Sequence, residues 1–138
     1  MAYLDHAATS PLWAEARDAM LPFLDGSFGN PSGAHAAARE ARKAIDEARD
    51  TMAGLLGCEP ADIVFTSGGT ESDNTAVFGV QRRHGGVVLS SAIEHHAVLD
   101  PVESLGGRLV GVDADGVIDL DQLADALDPS VSLVSVML

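Results

Sequence analysis

Two short segments of this 138-residue chain carry residue types that hold anions or move protons. The first, FTSGGTESDN at Phe65–Asn74, leads from an apolar stretch through a glycine pair into a sequence that can begin a helix. Amides at a helix N-terminus attract anions, and glycines let a phosphate approach the backbone closely. Gly69 and Thr70 are therefore candidate phosphate donors. The alternative is a plain tight turn in which Ser67 or Thr70 only caps the helix.

The same segment lacks the common nucleotide motifs. It is neither GxGxxG nor a Walker loop with its lysine, which argues against a dinucleotide or a nucleoside triphosphate. The single lysine, Lys43, lies on the charged face of a predicted helix and is expected to be a solvated partner for Glu47. Cys58, the single cysteine, follows that helix and is expected to be a half-buried filler. Neither residue is a candidate catalyst.

The second segment is IEHHAV at Ile93–Val98, just after an apolar run that predicts a strand. A histidine at the carboxyl edge of an α/β sheet could stack on a flat ring or move protons near neutral pH. The Glu-His-His run could also suggest a metal site. Adjacent side chains at a helix start point in different directions, however, so we expect no metal there. An ordinary surface or capping histidine is the remaining alternative.

Apolar periodicity places both segments in an alternating series of helices and strands. Ser10 and Pro11 suit an N-cap and a first helical residue, and Gly57 suits a helix stop. Helices are predicted at about residues 11–24, 34–57, 70–83, 96–105 and 120–127, and strands at about residues 62–66 (buried), 87–90, 108–112 and 131–138. Such alternation indicates βαβ units and an α/β fold, with a mainly parallel sheet flanked by helices on both faces.

Composition narrows the class of protein. A net charge of −13 repels nucleic acid and anionic membranes, so an anionic ligand must be held by local donors. No apolar run approaches the roughly 20 residues that span a bilayer, and the first residues lack a secretory signal pattern. We expect a cytoplasmic protein that binds neither nucleic acid nor membrane directly. Because residues 131–138 form an apolar strand without a polar tail, we also expect the chain to be truncated.

Four motifs in this order resemble the cysteine desulfurases, pyridoxal-phosphate enzymes of the class V aminotransferase group. Besides Phe65–Asn74 and Ile93–Val98, they are YLDHAAT at Tyr3–Thr9 and GNPSGAH at Gly29–His35. The resemblance runs along the whole chain, yet covers only part of such an enzyme. The loop with Asn-Pro-Ser and its histidine is most similar to the branch that supplies sulfur for iron–sulfur clusters and thiolated tRNA.

The resemblance implies the N-terminal part of a pyridoxal-phosphate-dependent transferase fold type I large domain. Residues 1–24 would be an N-terminal segment and helix, residues 25–57 a loop and long helix, and residues 58–138 the beginning of the cofactor-binding α/β domain. By the same resemblance, Gly69 and Thr70 hold the phosphate of pyridoxal 5'-phosphate, while His95 stacks on the pyridine ring and assists proton transfer. His96 matches no functional position.

The implied reaction converts L-cysteine to L-alanine and passes sulfur through an enzyme cysteine to an acceptor protein. The family lysine and persulfide cysteine match no residue of this chain, Cys58 included, so we expect the fragment alone to be inactive and the full-length protein to be a homodimer. One alternative is another enzyme of the group, such as a selenocysteine lyase or a small-substrate aminotransferase. The other is a non-enzymatic α/β anion-binding module.

Overall fold

The computed structural model describes residues 2–137, and the chain divides into two compact units between Val64 and Phe65. The first unit contains helices α1 (Ala14–Asp25) and α2 (Ala36–Leu56) and a short 3-10 helix (Pro60–Asp62). The second unit contains, in chain order, α3 (Gly69–His84), β1 (Val87–Ser91), α4 (His96–Ser104), β2 (Arg108–Val110), α5 (Leu120–Ala126) and β3 (Val131–Ser135). No helix within residues 2–137 is long and apolar enough to cross a bilayer.

Helix α1 begins later than its sequence predicts. Trp13 is the N-cap residue, with extended backbone at ψ 143°, and the first helical hydrogen bond runs from Arg17 N to Trp13 O at 2.9 Å. The prediction that Ser10 and Pro11 open the helix is therefore wrong. Residue types that favour a cap permit a helix start, but the backbone turns helical only where successive hydrogen bonds can form.

Helix α2 agrees with its prediction at both ends. His35 caps its N-terminus, where the ring Nδ1 accepts a hydrogen bond from Ala38 N at 3.3 Å. Gly57 ends the helix in the left-handed conformation at φ 70°, which a glycine adopts without a Cβ penalty. Lys43 Nζ lies 3.5 Å from Glu47 Oε1 on the exposed face of α2, so the predicted ion pair is confirmed. Cys58 is exposed, and the expectation of a half-buried filler is wrong.

The second unit is built on a three-stranded parallel sheet in the order β2-β1-β3. Leu89 at the centre of β1 aligns with Arg108 of β2 and with Val134 of β3. Parallel neighbours require crossover connections, which α4 and α5 supply between successive strands. The predicted α/β fold with a parallel sheet is confirmed.

The core of this unit lies where α3 and α4 pack against β1. Val77 of α3, Val88 of β1 and Val102 of α4 are at most 2% exposed, and Val98 joins them. Each fully buried aliphatic side chain contributes about 1.5–3 kcal/mol relative to exposure. This small cluster therefore fixes the two helices that carry the chemical segments.

The predicted buried strand at 62–66 is not formed. Asp62 ends the 3-10 helix, and residues 63–66 have no regular structure. Val64 is 72% exposed and Phe65 50% exposed. The apolar run has the composition of a buried strand, but a strand needs a neighbour, and in the described part of the chain β1 pairs only with β2 and β3.

The other three predicted strands are formed: β1 extends one residue past its prediction to Ser91, and β2 and β3 end earlier than predicted. Strand β2 stops at Val110, and Val112 instead forms an isolated antiparallel bridge with Ile118. Strand β3 stops at Ser135, not at the predicted residue 138, which lies outside the described residues.

Candidate functional site

Within residues 2–137, the start of α3 leaves backbone donors without a protein partner. Gly68 is the N-cap residue with extended backbone, and no side chain supplies a cap hydrogen bond there. Neither Ser67 nor Thr70 acts as the plain cap that the sequence left open. Among the residues that the structure describes, no acceptor bonds the amides of Gly69 and Thr70. Both residues are exposed, so these amides are accessible to a ligand.

Side chains on either side hold this turn in shape. The hydroxyls of Thr66 and Ser72 lie 2.7 Å apart, and both reach Gly68 O, at 3.1 and 3.2 Å. Ser67 N donates to a carboxylate oxygen of Glu71 at 2.6 Å. The backbone and side-chain hydrogen bonds from Ser67 lower the pKa of Glu71. These hydrogen bonds fix the turn without using the amides of Gly69 and Thr70.

The donor set fits a phosphate monoester. Two neighbouring amides and the Thr70 hydroxyl belong to the first turn of a 16-residue helix, at the positive end of its dipole. A Cβ added at Gly69 would meet no described heavy atom within 4 Å, so there is open space beside the backbone. Neutral donors of this kind hold a dianion without a cationic side chain. Glu71 adds a negative charge nearby, but its carboxylate is engaged by Ser67.

His95 begins α4 and has its ring orientation fixed by the backbone. Its Nδ1 accepts a hydrogen bond from Ala97 N at 3.0 Å, so the neutral ring carries its proton on Nε2. The capping role left open by the sequence is therefore present. The ring is also exposed, which leaves its face and Nε2 accessible. His96 points elsewhere, with its Nδ1 3.6 Å from a carboxylate oxygen of Asp100.

One side chain connects the two segments. Asn74 Nδ2 donates to Thr70 O at 2.9 Å and to Ala97 O at 3.0 Å. Since Ala97 N in turn bonds to His95, the start of α3 and the start of α4 belong to one hydrogen-bonded network. The sequence pattern predicts no role for Asn74. Its position four residues after Thr70 allows the first bond, but its second partner is 23 residues away and gives no local signal.

A second residue missed by the sequence is Glu94. It is 9% exposed, and its Oε1 accepts hydrogen bonds from Ser91 Oγ at 3.1 Å and from Met137 N. Glu94 directly precedes His95, and its carboxylate therefore connects this position to the end of β1 and to the segment that follows β3. The available signal was a charged residue directly after Ala92 and Ile93 at the end of a predicted strand, where a buried carboxylate needs donors.

The other motif residues lie in the first unit and have local roles. Asn30 Oδ1 accepts from Ser32 N at 3.0 Å in the loop before α2, which His35 caps. The rings of Tyr3 and His6 meet edge to face, with centroids 5.1 Å apart. Within residues 2–137 no group of three or more His, Cys, Asp or Glu side chains could hold a metal ion.

Comparison with known proteins gives one consistent family. The model of the family described as aminotransferase class-V matches residues 2–138. A Dictyoglomus turgidum protein named cysteine desulfurase IscS is 46% identical over 143 residues, which cover 98% of this chain and 36% of that protein. A Bacillus subtilis protein named putative cysteine desulfurase IscS 1 is 43% identical, over 98% of this chain and 38% of that protein.

Solved structures agree with the sequence matches. A NifS-like protein superposes with a TM-score of 0.87 at 33% identity, over 96% of this chain and 39% of that one. A structure of SspA in complex with cysteine gives a TM-score of 0.85 at 36% identity, over 97% of this chain and 41% of that one. The chain thus spans well under half the length of the proteins that it matches.

Proposed function

This chain belongs to the aminotransferase class-V family, and from that membership we propose that its full-length protein is a pyridoxal-phosphate-dependent cysteine desulfurase. The observation that carries the proposal is the match along nearly the whole chain to proteins named as cysteine desulfurases. The fold and the uncapped start of α3 support it independently, because they offer a phosphate site of the kind that such a cofactor needs.

The residues of this chain then have separate tasks. The amides of Gly69 and Thr70, with the Thr70 hydroxyl, bind the cofactor phosphate at the start of α3. His95 would lie against the cofactor ring, and with its Nδ1 held by Ala97 N it would present its Nε2 proton to the cofactor or the substrate. When bound, pyridoxal phosphate supplies an electron sink for bonds changed at the α-carbon of an amino acid. This chain contributes cofactor binding and one proton-transfer group.

We propose further that sulfur passes from L-cysteine to an enzyme cysteine and then to an acceptor protein, and that the full-length protein is a homodimer. Support for these finer points is the family resemblance of the four motifs, together with the cysteine complex of the similar protein SspA. Cys58 is exposed and matches no family position, and we assign it no part in sulfur transfer.

The test uses the full-length protein with added pyridoxal phosphate. We expect a yellow protein that converts L-cysteine to equal amounts of alanine and, with a thiol reductant present, sulfide. Alanine is measured by chromatography and sulfide by a colorimetric assay. A protein that stays colourless after soaking in the cofactor, or that forms no alanine, would contradict the proposal. Selenocysteine as a parallel substrate separates the related lyase reaction from this one.

A further inference from the structure

Asn74 occupies both of its amide hydrogens in bridging two helices. One bond, of 2.9 Å, goes to Thr70 O in the first turn of its own helix, α3. The other, of 3.0 Å, goes to Ala97 O in the first turn of α4. The bond to Ala97 O is partly buried and Ala97 is 6% exposed, so water has little access to that carbonyl, whereas the bond to Thr70 O is exposed.

Ala97 makes the bridge continuous with His95. Its carbonyl accepts from Asn74, while its amide donates to His95 Nδ1. A chain of contacts therefore runs from Thr70, a candidate phosphate donor, through Asn74 and Ala97 to the candidate ring-stacking histidine. Apart from this bridge, α3 and α4 meet through apolar side chains such as Val77, Val98 and Val102. Apolar contacts are non-directional and set the spacing less strictly than hydrogen bonds do.

We propose that Asn74 is a positioning residue, which sets the distance and orientation of His95 relative to the phosphate donors of Gly69 and Thr70. This inference rests on the proposed function. A cofactor that carries a phosphate and a flat ring at a fixed separation binds both groups at once only if the two protein sites keep that separation. Asn74 is the side chain that ties one site to the other in the described structure.

The first experiment compares two ligands of the full-length apoprotein carrying Asn74→Ala. Pyridoxal phosphate engages both sites, whereas inorganic phosphate engages only the α3 site. We expect the dissociation constant of pyridoxal phosphate to rise about tenfold, which corresponds to the loss of one bridging interaction, and that of inorganic phosphate to change less than about twofold. Equal weakening for both ligands would mean that the substitution damages the phosphate site itself, and would overturn the proposal.

The second experiment is a double-mutant cycle with His95→Asn, a change that keeps a capping oxygen but removes the ring. If Asn74 acts through His95, then Asn74→Ala weakens pyridoxal phosphate binding in the native background and has little effect when the ring is absent. The visible absorption maximum of the bound cofactor should also shift in Asn74→Ala and not shift further in the double variant. Fully additive effects on the dissociation constant would overturn the proposal.

Thr75→Ala is the matched control, because it truncates the exposed residue next to Asn74 on α3 to alanine without changing the charge. It should leave both dissociation constants unchanged. If Asn74→Ala does not fold, Asn74→Ser supports the same comparison, since a hydroxyl is too short to span both carbonyls. A native protein that binds no pyridoxal phosphate would refute the proposed function, whereas binding with an additive cycle would refute this inference alone.

Discussion

At the residue scale, the starts of α3 and α4 differ in how their first backbone amides are bonded. A helix start has amides that lack intrahelical acceptors. Helix α4 satisfies one of them with the ring of His95, and helix α3 begins at Gly69 with none satisfied by a side-chain cap. The capped start fixes a ring, and the uncapped start exposes donors. In the function proposed above, this difference gives each segment its own task at one cofactor.

The Thr70 hydroxyl gives a test of the phosphate site. In full-length protein, Thr70→Ala should raise the dissociation constant of pyridoxal phosphate about tenfold or more, because a hydrogen bond to a charged group contributes about 1.5–3 kcal/mol. Thr70→Ser, which keeps the hydroxyl, should bind nearly as well as the native protein. Thr75→Ala, further along the same helix, is the control. Binding of pyridoxal, which has no phosphate, should not respond, and a matching loss there would contradict the assignment.

The ring of His95 can be tested apart from its cap. His95→Asn retains an oxygen that can accept from Ala97 N, so the melting temperature should stay close to the native value. Turnover of L-cysteine at saturating cofactor should fall at least about a hundredfold, the lower end of what proton-transfer catalysis contributes. Cofactor affinity should change less than turnover. His96→Asn is the control, and an active His95→Asn protein would remove His95 from the mechanism.

At the element scale, sequence periodicity predicted α2, α3, α4 and the parallel sheet because these depend on local apolar spacing. The apolar run at 62–66 was misassigned since a strand also requires a partner, which sequence spacing does not reveal. The Asn74 bridge escaped prediction for a similar reason: Ala97 comes near only after α3 and α4 pack together. The start of α3 was foreseen, because glycines before a polar helix start carry a local backbone signal.

The Glu94 carboxylate should matter for stability because it joins three parts of the second unit. Replacing it with alanine leaves Ser91 Oγ and Met137 N without this acceptor, and we expect a loss of about 2 kcal/mol in the free energy of unfolding of full-length protein. Glu94→Gln keeps an acceptor oxygen and should cost less than half of that. Chemical denaturation measures both. Exposed Glu103 on α4 is the control, and equal effects at positions 94 and 103 would refute the role.

The turn between α5 and β3 should respond to acid. Hydrogen bonds from Ser130, and then Arg108, lower the pKa of Asp128 from 3.8 to about 2. Because the folded pKa lies below the ordinary one, this carboxylate stabilises the fold above about pH 4, and the contribution is lost as the pH falls toward about 2.

Asp128→Asn should therefore reduce stability at neutral pH, and its difference from the native protein should shrink between about pH 4 and pH 2. Urea unfolding of the full-length protein at several pH values gives the comparison. Asp125→Asn, on the exposed face of α5, controls for the change in net charge. A difference that stays constant down to pH 2 would be inconsistent with the lowered pKa.

At the scale of the whole molecule, the 138-residue chain presents large apolar side chains to solvent. Leu4, Trp13, Phe28 and Leu55 are each at least 77% exposed. Exposed apolar patches promote association. We expect the chain, produced by itself, to associate with rising concentration and to bind a hydrophobic dye, despite its charge of −13. Gel filtration with light scattering measures the molar mass at each concentration. A chain that stays monomeric over a concentration range of about a hundredfold would contradict this expectation.

The cap at α4 also has a consequence for chemical labelling. An electrophile such as diethyl pyrocarbonate attacks the imidazole nitrogen that carries the in-plane lone pair, and in His95 the Ala97 amide already occupies that lone pair. His96 is also exposed, and its Nδ1 lies 3.6 Å from a carboxylate oxygen of Asp100, so its Nε2 keeps a lone pair for the reagent. Two adjacent, exposed histidines should thus be carbethoxylated at different rates, the second ahead of the first.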